Sequence, residues 1–178
     1  AVFADNPGAS FTDSFDTATN GQLGRQWVER SGNIAIADGV ASNNASNTVA
    51  LLNPTFVSFA DATVSATVTT TGANQFAGLI ARSNASGTMY YQAGLMRTAT
   101  GVTAAIYIVQ NGQSRLLATA GTSLNTGSLS FEVTGSTLTL RLNGNVLVSV
   151  IDATLVAGTF GLRGTGTVSW DDFAFNGI

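Results

Sequence analysis

The sequence predicts an all-β protein, an antiparallel sandwich of two sheets, and three observations lead to this prediction. Apolar and polar residues alternate with a period of two, as in STLTLRLN, where Leu138, Leu140 and Leu142 share one face. No long stretch shows the 3.6-residue period of an amphipathic helix. Turn-forming residues separate the alternating runs, with 20 glycines in the chain and two Asn-Gly pairs.

Ten segments have the alternation or the β-branched and aromatic content of strands. In chain order they are NIAIA from Asn33, TVALLN from Thr48, DATVSATVTT from Asp61, QFAGLIAR from Gln75, TMYYQAGLMR from Thr88, VTAAIYIVQ from Val102, SLSFEVTG from Ser128, STLTLRLN from Ser136, GTFGLRG from Gly158 and VSWDDFAF from Val168. The segment DATLVAG from Asp152 is at most one helical turn. So many short strands need two packed sheets, because a single open sheet would leave one apolar face in water.

Two Asn-Gly pairs predict tight hairpins, since both residues tolerate a positive φ. A two-residue turn at Asn111-Gly112 joins IYIVQ to QSRLL. At Asn143 we expect a three-residue loop, Asn143-Gly144-Asn145, because it pairs Leu142 with Val146 and Leu140 with Val148.

The composition excludes several classes of chemistry. The chain has 178 residues, enough for one domain with a substantial core, and 10% of them are charged. It contains no cysteine, histidine or lysine, so thiolate nucleophiles, imidazole bases and Cys-ligated zinc are all excluded. The seven arginines are scattered along a chain of net charge -3, and they form no basic stripe that could bind a phosphate backbone. Nucleic acid is therefore not expected as a partner. No apolar run is long enough for a membrane helix.

The first ten residues, AVFADNPGAS, are small and turn-prone. We therefore expect residues 1–10 to form an N-terminal arm and residues 11–178 to form the sandwich domain. The sequence does not begin with a charged segment followed by an apolar one, so we expect that a secretory signal has been removed or never existed.

Three segments together resemble the laminin-G-like and concanavalin A-like jelly-roll modules. They are SFDTATNGQLGRQWVERSGNIAIADGVASNN, GLIARSNASGTMYYQAGL and LTLRLNGNVLVSVIDATLVAGTFGLRGTGTVSWDDFAF. Such modules occur in secreted bacterial carbohydrate-active proteins and in phage tail and virion proteins. The resemblance covers residues 11 to 176 and implies two antiparallel sheets, one of them concave, with the first and last strands adjacent. It implies recognition, often of glycans, more than catalysis.

The resemblance also places the segment from Phe11 to Asp16 beside the strand from Val168 to Phe175. Asp13 and Asp16 would then lie near Asp171 and Asp172. Two interpretations remain open: the four carboxylates hold a structural Ca²⁺, which takes six to eight oxygen ligands, or they cap turns and accept backbone N–H bonds. Trp27 and Trp170 are expected in the core, since large aromatic side chains on strands are mostly buried.

A glycan site is predicted in the middle of the chain. The segment ARSNASGTMYYQAGLMR supplies Arg82, Tyr90, Gln92 and Arg97, and sugars are held by aromatic faces and by planar amide or guanidinium donors. Tyr90 and Tyr91 cannot both face the ligand, because neighbouring residues of a strand point to opposite faces. The alternative is that one tyrosine is a core residue and that the arginines are merely solvated.

Glycoside hydrolysis is not expected. It requires two carboxyl groups flanking one bond, and the jelly-roll glucanases that the chain resembles carry theirs in a Glu-x-Asp-x-x-Glu pattern. Only Glu29 and Glu132 are present here, and neither lies in that pattern. Glu132 alternates with Phe131 and Val133, so we expect it to point to solvent.

These observations predict a non-catalytic carbohydrate-binding or surface-recognition module that acts extracellularly. Its expected partner is a glycan or cell-surface polysaccharide, bound weakly and without nucleic acid or membrane insertion. The alternative is a structural subunit of a phage virion or an extracellular filament. Lysine, which on edge strands usually prevents pairing with another chain, is absent. Such a subunit could therefore assemble through its strand edges and the N-terminal arm.

Overall fold

The computed structural model describes residues 3–4, 8–17, 21–43 and 47–178, with the backbone alone for residues 3–4. Every regular element in these ranges is a β-strand, which confirms the all-β prediction. In the same ranges, no helix has the length and apolar character needed to cross a membrane.

Seventeen strands follow one another in the described ranges. They are β1 (Phe3–Ala4), β2 (Ser10–Asp13), β3 (Trp27–Ser31), β4 (Ala35–Ala37), β5 (Val40–Asn43), β6 (Thr48–Leu52), β7 (Val57–Ser58), β8 (Ala62–Thr70), β9 (Gln75–Ser83), β10 (Met89–Arg97), β11 (Val102–Gln110), β12 (Gln113–Thr122), β13 (Thr126–Thr134), β14 (Thr137–Leu142), β15 (Asn145–Ile151), β16 (Thr159–Thr165) and β17 (Val168–Gly177). All ten predicted segments contain a strand or part of one, and Asp152–Gly158 forms no helix.

Two antiparallel sheets contain nearly all of these strands. The front sheet has the order β12-β11-β10-β9-β16-β6-β3. The back sheet has the order β15-β14-β13-β8-β17-β5-β4, with β2 also paired to β17. Strands that are distant in sequence therefore lie side by side, as β16 does between β9 and β6.

The core lies between the sheets and follows from the period-two pattern. In β8 the buried residues alternate strictly with half-exposed ones, from Ala62 to Thr70. Phe131 and Leu140 enter the core from the back sheet, while Leu79 and Ile106 enter it from the front sheet, all with no exposed surface. Buried apolar area of this kind contributes about 25 cal/mol per Å², which makes the core the main source of stability.

The two ends of the domain are paired as the resemblance implied. Strand β2 runs antiparallel to β17, with Asp13 opposite Phe173 and Phe11 opposite Phe175. Strand β17 bulges after Asp171, and Asp172 adopts a positive φ of 49° there. Because the bulge inserts one residue, Trp170 and Phe173 both point into the core although their spacing is odd.

Of the two turn predictions at the Asn-Gly pairs, one is confirmed and the other is wrong. The two-residue turn at Asn111-Gly112 is confirmed, since Gln110 pairs with Gln113. The three-residue loop at Asn143 is wrong, because Leu142 pairs with Asn145 and the turn contains two residues. A bulge at Leu147 then restores the predicted pair of Leu140 with Val148, so one extra residue sits in the strand and not in the turn.

The predicted N-terminal arm is described only in part. Phe3–Ala4 pairs in parallel with Val57–Ser58, and β2 begins at Ser10. Residues 1–2 and 5–7 lie outside the described residues, so the predicted part of this arm in assembly stays a prediction.

Candidate functional site

The outer face of the front sheet carries the side chains that are best arranged for ligand binding. In β10 the residues Tyr91, Ala93 and Leu95 point into the core between the sheets. Tyr90 and Gln92 therefore project from the opposite, outer face. The expectation that the two adjacent tyrosines point in opposite directions is confirmed, with Tyr91 as the core residue.

Arg163 of β16 reaches Gln92 across an intervening strand. Arg163 lies opposite Gly78 of β9, and Gly78 lies opposite Gly94 of β10. No side chain stands between the two strands at this point, so the guanidinium Nε donates a hydrogen bond to Gln92 Oε1 over 3.1 Å. The outer face thus presents a linked guanidinium and amide near the middle of the front sheet.

Further hydrogen bonds fix the Arg163 guanidinium in place. Its Nη1 donates to the Thr48 carbonyl oxygen over 3.3 Å, to Thr165 Oγ1 over 3.2 Å and to the Gly164 carbonyl oxygen. All of these acceptors, like Gln92 Oε1, are neutral. No Asp or Glu oxygen of the described residues lies within 4.0 Å of this cation. Arg163 is half-buried, so part of its side chain remains open to solvent.

Two aromatic rings complete the arrangement. Tyr107 of β11 lies directly opposite Gln92. Its ring meets that of Phe76 edge-to-face, with centroids 6.2 Å apart. A Cβ atom at Gly78 would come within 2.6 Å of Phe76 Cε1, so the glycine leaves room for the Phe76 ring to lie on the sheet. We call Arg163, Gln92, Tyr107, Phe76 and Thr165 the front-face cluster.

Several polar atoms of the front-face cluster reach solvent, although Gln92 as a whole is only 7% exposed. Tyr107 Oη, Gln92 Nε2 and Arg163 Nη2 donate no hydrogen bond to any described residue. Within the same ranges, no fully buried side-chain nitrogen or oxygen lacks a partner, so these three atoms must reach solvent. Burial raises the pKa of the Tyr107 hydroxyl above its usual value, which keeps it protonated and able to donate.

The predicted glycan residues are not all brought together. Gln92 belongs to the front-face cluster, and Tyr90 lies beside it on the same face. Tyr90 is only 5% exposed, because it packs with Val49, Leu51, Ile80 and Val109 in a small apolar cluster. Arg97 points the other way, and its Nη1 donates to the Thr70 carbonyl oxygen of the back sheet over 3.4 Å.

Arg82 is a buried structural residue. A bulge in β9, where Arg82 has a positive φ of 52°, turns its side chain inward. The guanidinium donates to the carbonyl oxygens of Ala60, Leu155 and Gly135 and pairs with Asp61 over 3.2 Å. With 2% of its side chain exposed, Arg82 is neither available to a glycan nor solvated.

The four predicted aspartates do not form one carboxylate cluster. Asp13 and Asp172 line the same shallow pocket, but no group of three or more acidic residues suited to a metal ion exists in the described ranges. Asp13 accepts the Phe15 N–H at Oδ1 over 2.9 Å and the Trp27 indole N–H at Oδ2 over 2.8 Å. Asp171 accepts the Asp172 N–H over 2.7 Å, whereas Asp16 lies against Gly39. Of the two interpretations, these contacts favour hydrogen bonding, and calcium stays a prediction.

A separate cavity lies at the open edge of the sandwich. It has a volume of about 220 Å³, and its described walls include Phe11, Leu52, Phe56, Phe59 and Phe175. These walls are almost entirely apolar, so they offer few of the hydrogen-bonding groups that a sugar requires. The front-face cluster suits a polar ligand better, although it is a shallow surface and not a pocket.

Sequence reasoning missed Arg163, Tyr107 and Phe76. In each strand these residues alternate with the residues that point into the core. A polar residue such as Arg163 in this alternation indicates the outer face of the sheet. Their proximity depends on β16 lying next to β9, a neighbour relation that the chain order does not reveal.

The fold is shared with several solved structures. The carbohydrate binding module CBM66 from Bacillus subtilis matches with a TM-score of 0.68 and 19% identity, over 86% of this chain and 93% of that one. A Bacillus subtilis protein of unknown function with a galectin-like fold matches with a TM-score of 0.74 and 12% identity, over 97% of both chains. A β-1,3-1,4-glucanase derived from a mouse hindgut metagenome matches with a TM-score of 0.68 and 11% identity, over 95% and 99%.

The chain is a concanavalin A-like jelly roll. This confirms the fold class that the sequence predicted, and at such identities the similarity concerns the fold alone. No family model and no curated protein matches the sequence. Because the same jelly roll occurs both in a carbohydrate binding module and in a glucanase, the fold alone does not indicate the function, and the side chains have to be considered.

Proposed function

We propose that this jelly roll is a non-catalytic carbohydrate-binding module and that the front-face cluster is its sugar site. The observation that carries the proposal is the Arg163–Gln92 pair, held in place on the outer face of the front sheet and flanked by the Tyr107 ring. Planar guanidinium and amide groups bind pairs of sugar hydroxyls, and an aromatic ring packs under sugar C–H groups. Two neighbouring positions without side chains, Gly78 and Gly94, let the Arg163 side chain cross to Gln92.

The positions of the two glutamates support a binding role without catalysis. Glu29 belongs to β3 of the front sheet, and its Oε1 accepts the Ile34 N–H over 2.5 Å. Glu132 belongs to β13 of the back sheet and pairs with Arg141 over 3.9 Å. The two glutamates are thus engaged within separate sheets, whereas hydrolysis needs two carboxyl groups on either side of one glycosidic bond.

Likeness to a carbohydrate binding module adds support at the level of fold. We expect the module to act outside the cytoplasm, as a secreted or surface-exposed protein. A shallow site of this type binds weakly, with a dissociation constant near 1 mM, or about -4 kcal/mol, and gains strength from repetition in a larger assembly.

The test is a titration of the protein with a panel of oligosaccharides, followed by NMR chemical shifts and calorimetry. Tyr107→Ala removes the ring and should weaken binding at least about tenfold, while Tyr107→Phe should weaken it less. Arg141→Gln is the matched control, because Arg141 lies on the outer face of the other sheet. The proposal fails if no oligosaccharide binds, or if binding survives Tyr107→Ala unchanged.

A second candidate function is that of a structural subunit of a virion or filament. Edge strands β12 and β15 end the two sheets on the same side of the sandwich. They expose Leu116 (48%), Val146 (52%) and Ile151 (76%), and the chain has no lysine to guard these edges. Light scattering separates the two functions: a binding module has the mass of one chain, and a structural subunit has the mass of a symmetric assembly.

A further inference from the structure

We infer that the front-face cluster prefers an acidic sugar, with the guanidinium of Arg163 and the amide of Gln92 binding a uronate carboxylate. This inference rests on the proposed function and names its ligand class. It starts from the charge of Arg163. Among the described residues, Arg82, Arg115 and Arg141 each pair with a carboxylate. Arg163 and Arg97 are both half-buried with only neutral acceptors, but Arg97 points towards the back sheet and Arg163 lies on the outer face.

A partly buried cation without a counter-ion is an incomplete arrangement. Removing charge from water is costly unless an opposite charge compensates it. Four hydrogen bonds to neutral oxygens hold the guanidinium in place but leave its charge unbalanced. An anionic ligand at this point gains both attraction and hydrogen bonds, and the guanidinium need not reorganise to bind it.

The open atoms of the front-face cluster are donors. Arg163 Nη2 and Gln92 Nε2 each carry two hydrogens without a partner among the described residues, and the Tyr107 hydroxyl can donate a third type of bond. Gln92 is fixed in this orientation because its Oε1 already accepts from Arg163 Nε. Sugar hydroxyls both donate and accept, whereas of these three open atoms only the Tyr107 hydroxyl oxygen can also accept. A carboxylate only accepts, at two oxygens, and it matches this set of donors.

The attraction is local and does not come from the overall charge. The chain carries a net charge of -3, which by itself repels polyanions. Binding of an acidic sugar therefore reports on Arg163 and not on general electrostatic steering.

The experiment compares ligands that differ in charge alone. Oligomers of galacturonic acid and of glucuronic acid are titrated beside their fully methyl-esterified forms, by calorimetry at low salt. At least one acid form should bind about tenfold or more tightly than its ester, and this preference should decline between about 20 and 200 mM salt. Equal or tighter binding of the esters overturns the inference. So does a preference for a sulfated oligosaccharide over both uronates, because the proposed partner is a planar carboxylate.

Variants separate this inference from the proposed function. Gln92→Glu supplies an internal carboxylate beside Arg163 Nε and should abolish the preference for the acid form, with the melting temperature unchanged or raised. Arg163→Gln should do the same, but it also removes bonds to Thr48 and Gly164, so its folding is checked by circular dichroism. Arg141→Gln should leave the preference intact. If neutral oligosaccharides bind as tightly as the acid forms and Tyr107→Ala abolishes their binding, the module assignment stands and the acidic preference is wrong. If no sugar of any kind binds, both are wrong.

Discussion

Replacing Asp13 by alanine should destabilise the protein by removing the side-chain link between β2 and the front sheet. Asp13 ends β2, which is paired to the back sheet, and its carboxylate accepts the indole N–H of Trp27 from the front sheet over 2.8 Å. The other carboxylate oxygen accepts the Phe15 N–H over 2.9 Å. Trp27 is 6% exposed and packs edge-to-face on Phe173 at 4.7 Å, so its N–H has little freedom to find another partner.

The expected magnitude follows from these two bonds. A hydrogen bond to a charged acceptor contributes about 1.5–3 kcal/mol, and a buried donor left unpaired costs a similar amount. Water can reach the site through the adjoining polar pocket beside Arg25 and Gln26, which offsets part of the loss. We therefore expect a loss of about 2–4 kcal/mol for Asp13→Ala. For a chain of this length that corresponds to a melting temperature lower by about 5–15 °C.

Thermal and urea unfolding of five variants tests this reasoning. Asp13→Asn keeps a single acceptor oxygen and should lose about half as much as Asp13→Ala. Trp27→Phe removes the indole donor, so the double variant with Asp13→Ala should show coupling of about 1–3 kcal/mol. Thr12→Ala, an exposed neighbour in the same strand, should stay within about 0.5 kcal/mol of the parent. If Asp13→Ala melts like Thr12→Ala, the two ends of the chain are not joined through this carboxylate.

Four further outcomes are expected. Burial alone would raise the pKa of Asp152, but hydrogen bonds from Tyr91 and Thr154 and the nearby Arg115 charge outweigh it and lower the pKa. Stability from this carboxylate is therefore present above the unfolded pKa near 4 and is lost as the pH falls through the folded pKa, and Asp152→Asn should flatten that dependence in acid unfolding. Deleting Leu147 removes the bulge and should keep the pairing of β14 with β15 beyond Leu140 in place. The melting temperature of this deletion variant should therefore fall less than that of a variant with one residue inserted in the Asn143 turn. Gly78→Ala should cost about 1–3 kcal/mol in urea unfolding by displacing the Phe76 ring, whereas Gly121→Ala, whose Cβ meets nothing within 4 Å, should be neutral. A chelator should leave the melting temperature unchanged if hydrogen bonds compensate the four aspartates, whereas a bound structural calcium at 100-fold saturation would add about 2.7 kcal/mol.

The fold could be predicted because its determinants are local. The alternation in β8 and β14 places the same residues in the core in the sequence and in the structure. The turn at Asn111-Gly112 was predictable for the same reason, since a positive φ at two consecutive residues is needed there. The turn at Asn143 differs from its prediction because a regular strand requires a three-residue loop here, whereas the chain accommodates its extra residue in a bulge at Leu147.

Bulges also explain why the site residues were only partly predictable. Strict alternation makes Arg82 a face residue near Tyr90, but the positive φ at Arg82 turns the side chain into a buried network. A bulge at Asp172 likewise changes the expected positions of the two adjacent aspartates. Asp172 has a positive φ, and Asp171 accepts the N–H of Asp172. Asn and Asp often mark such positions, whereas an arginine with positive φ has no signal in the sequence.

The front-face cluster depends on residues that contribute no side chain at all. Arg163 reaches Gln92 because the intervening position in β9 is Gly78, and Gly78 stands beside Gly94. In the sequence these glycines read as weak points of two strands, since glycine lowers strand propensity. In the structure they set the distance between a cation and an amide and give the Phe76 ring a surface to lie on. The recognition chemistry therefore follows from which strands are neighbours, and a glycine inside a strand indicates where a side chain from the next strand can cross.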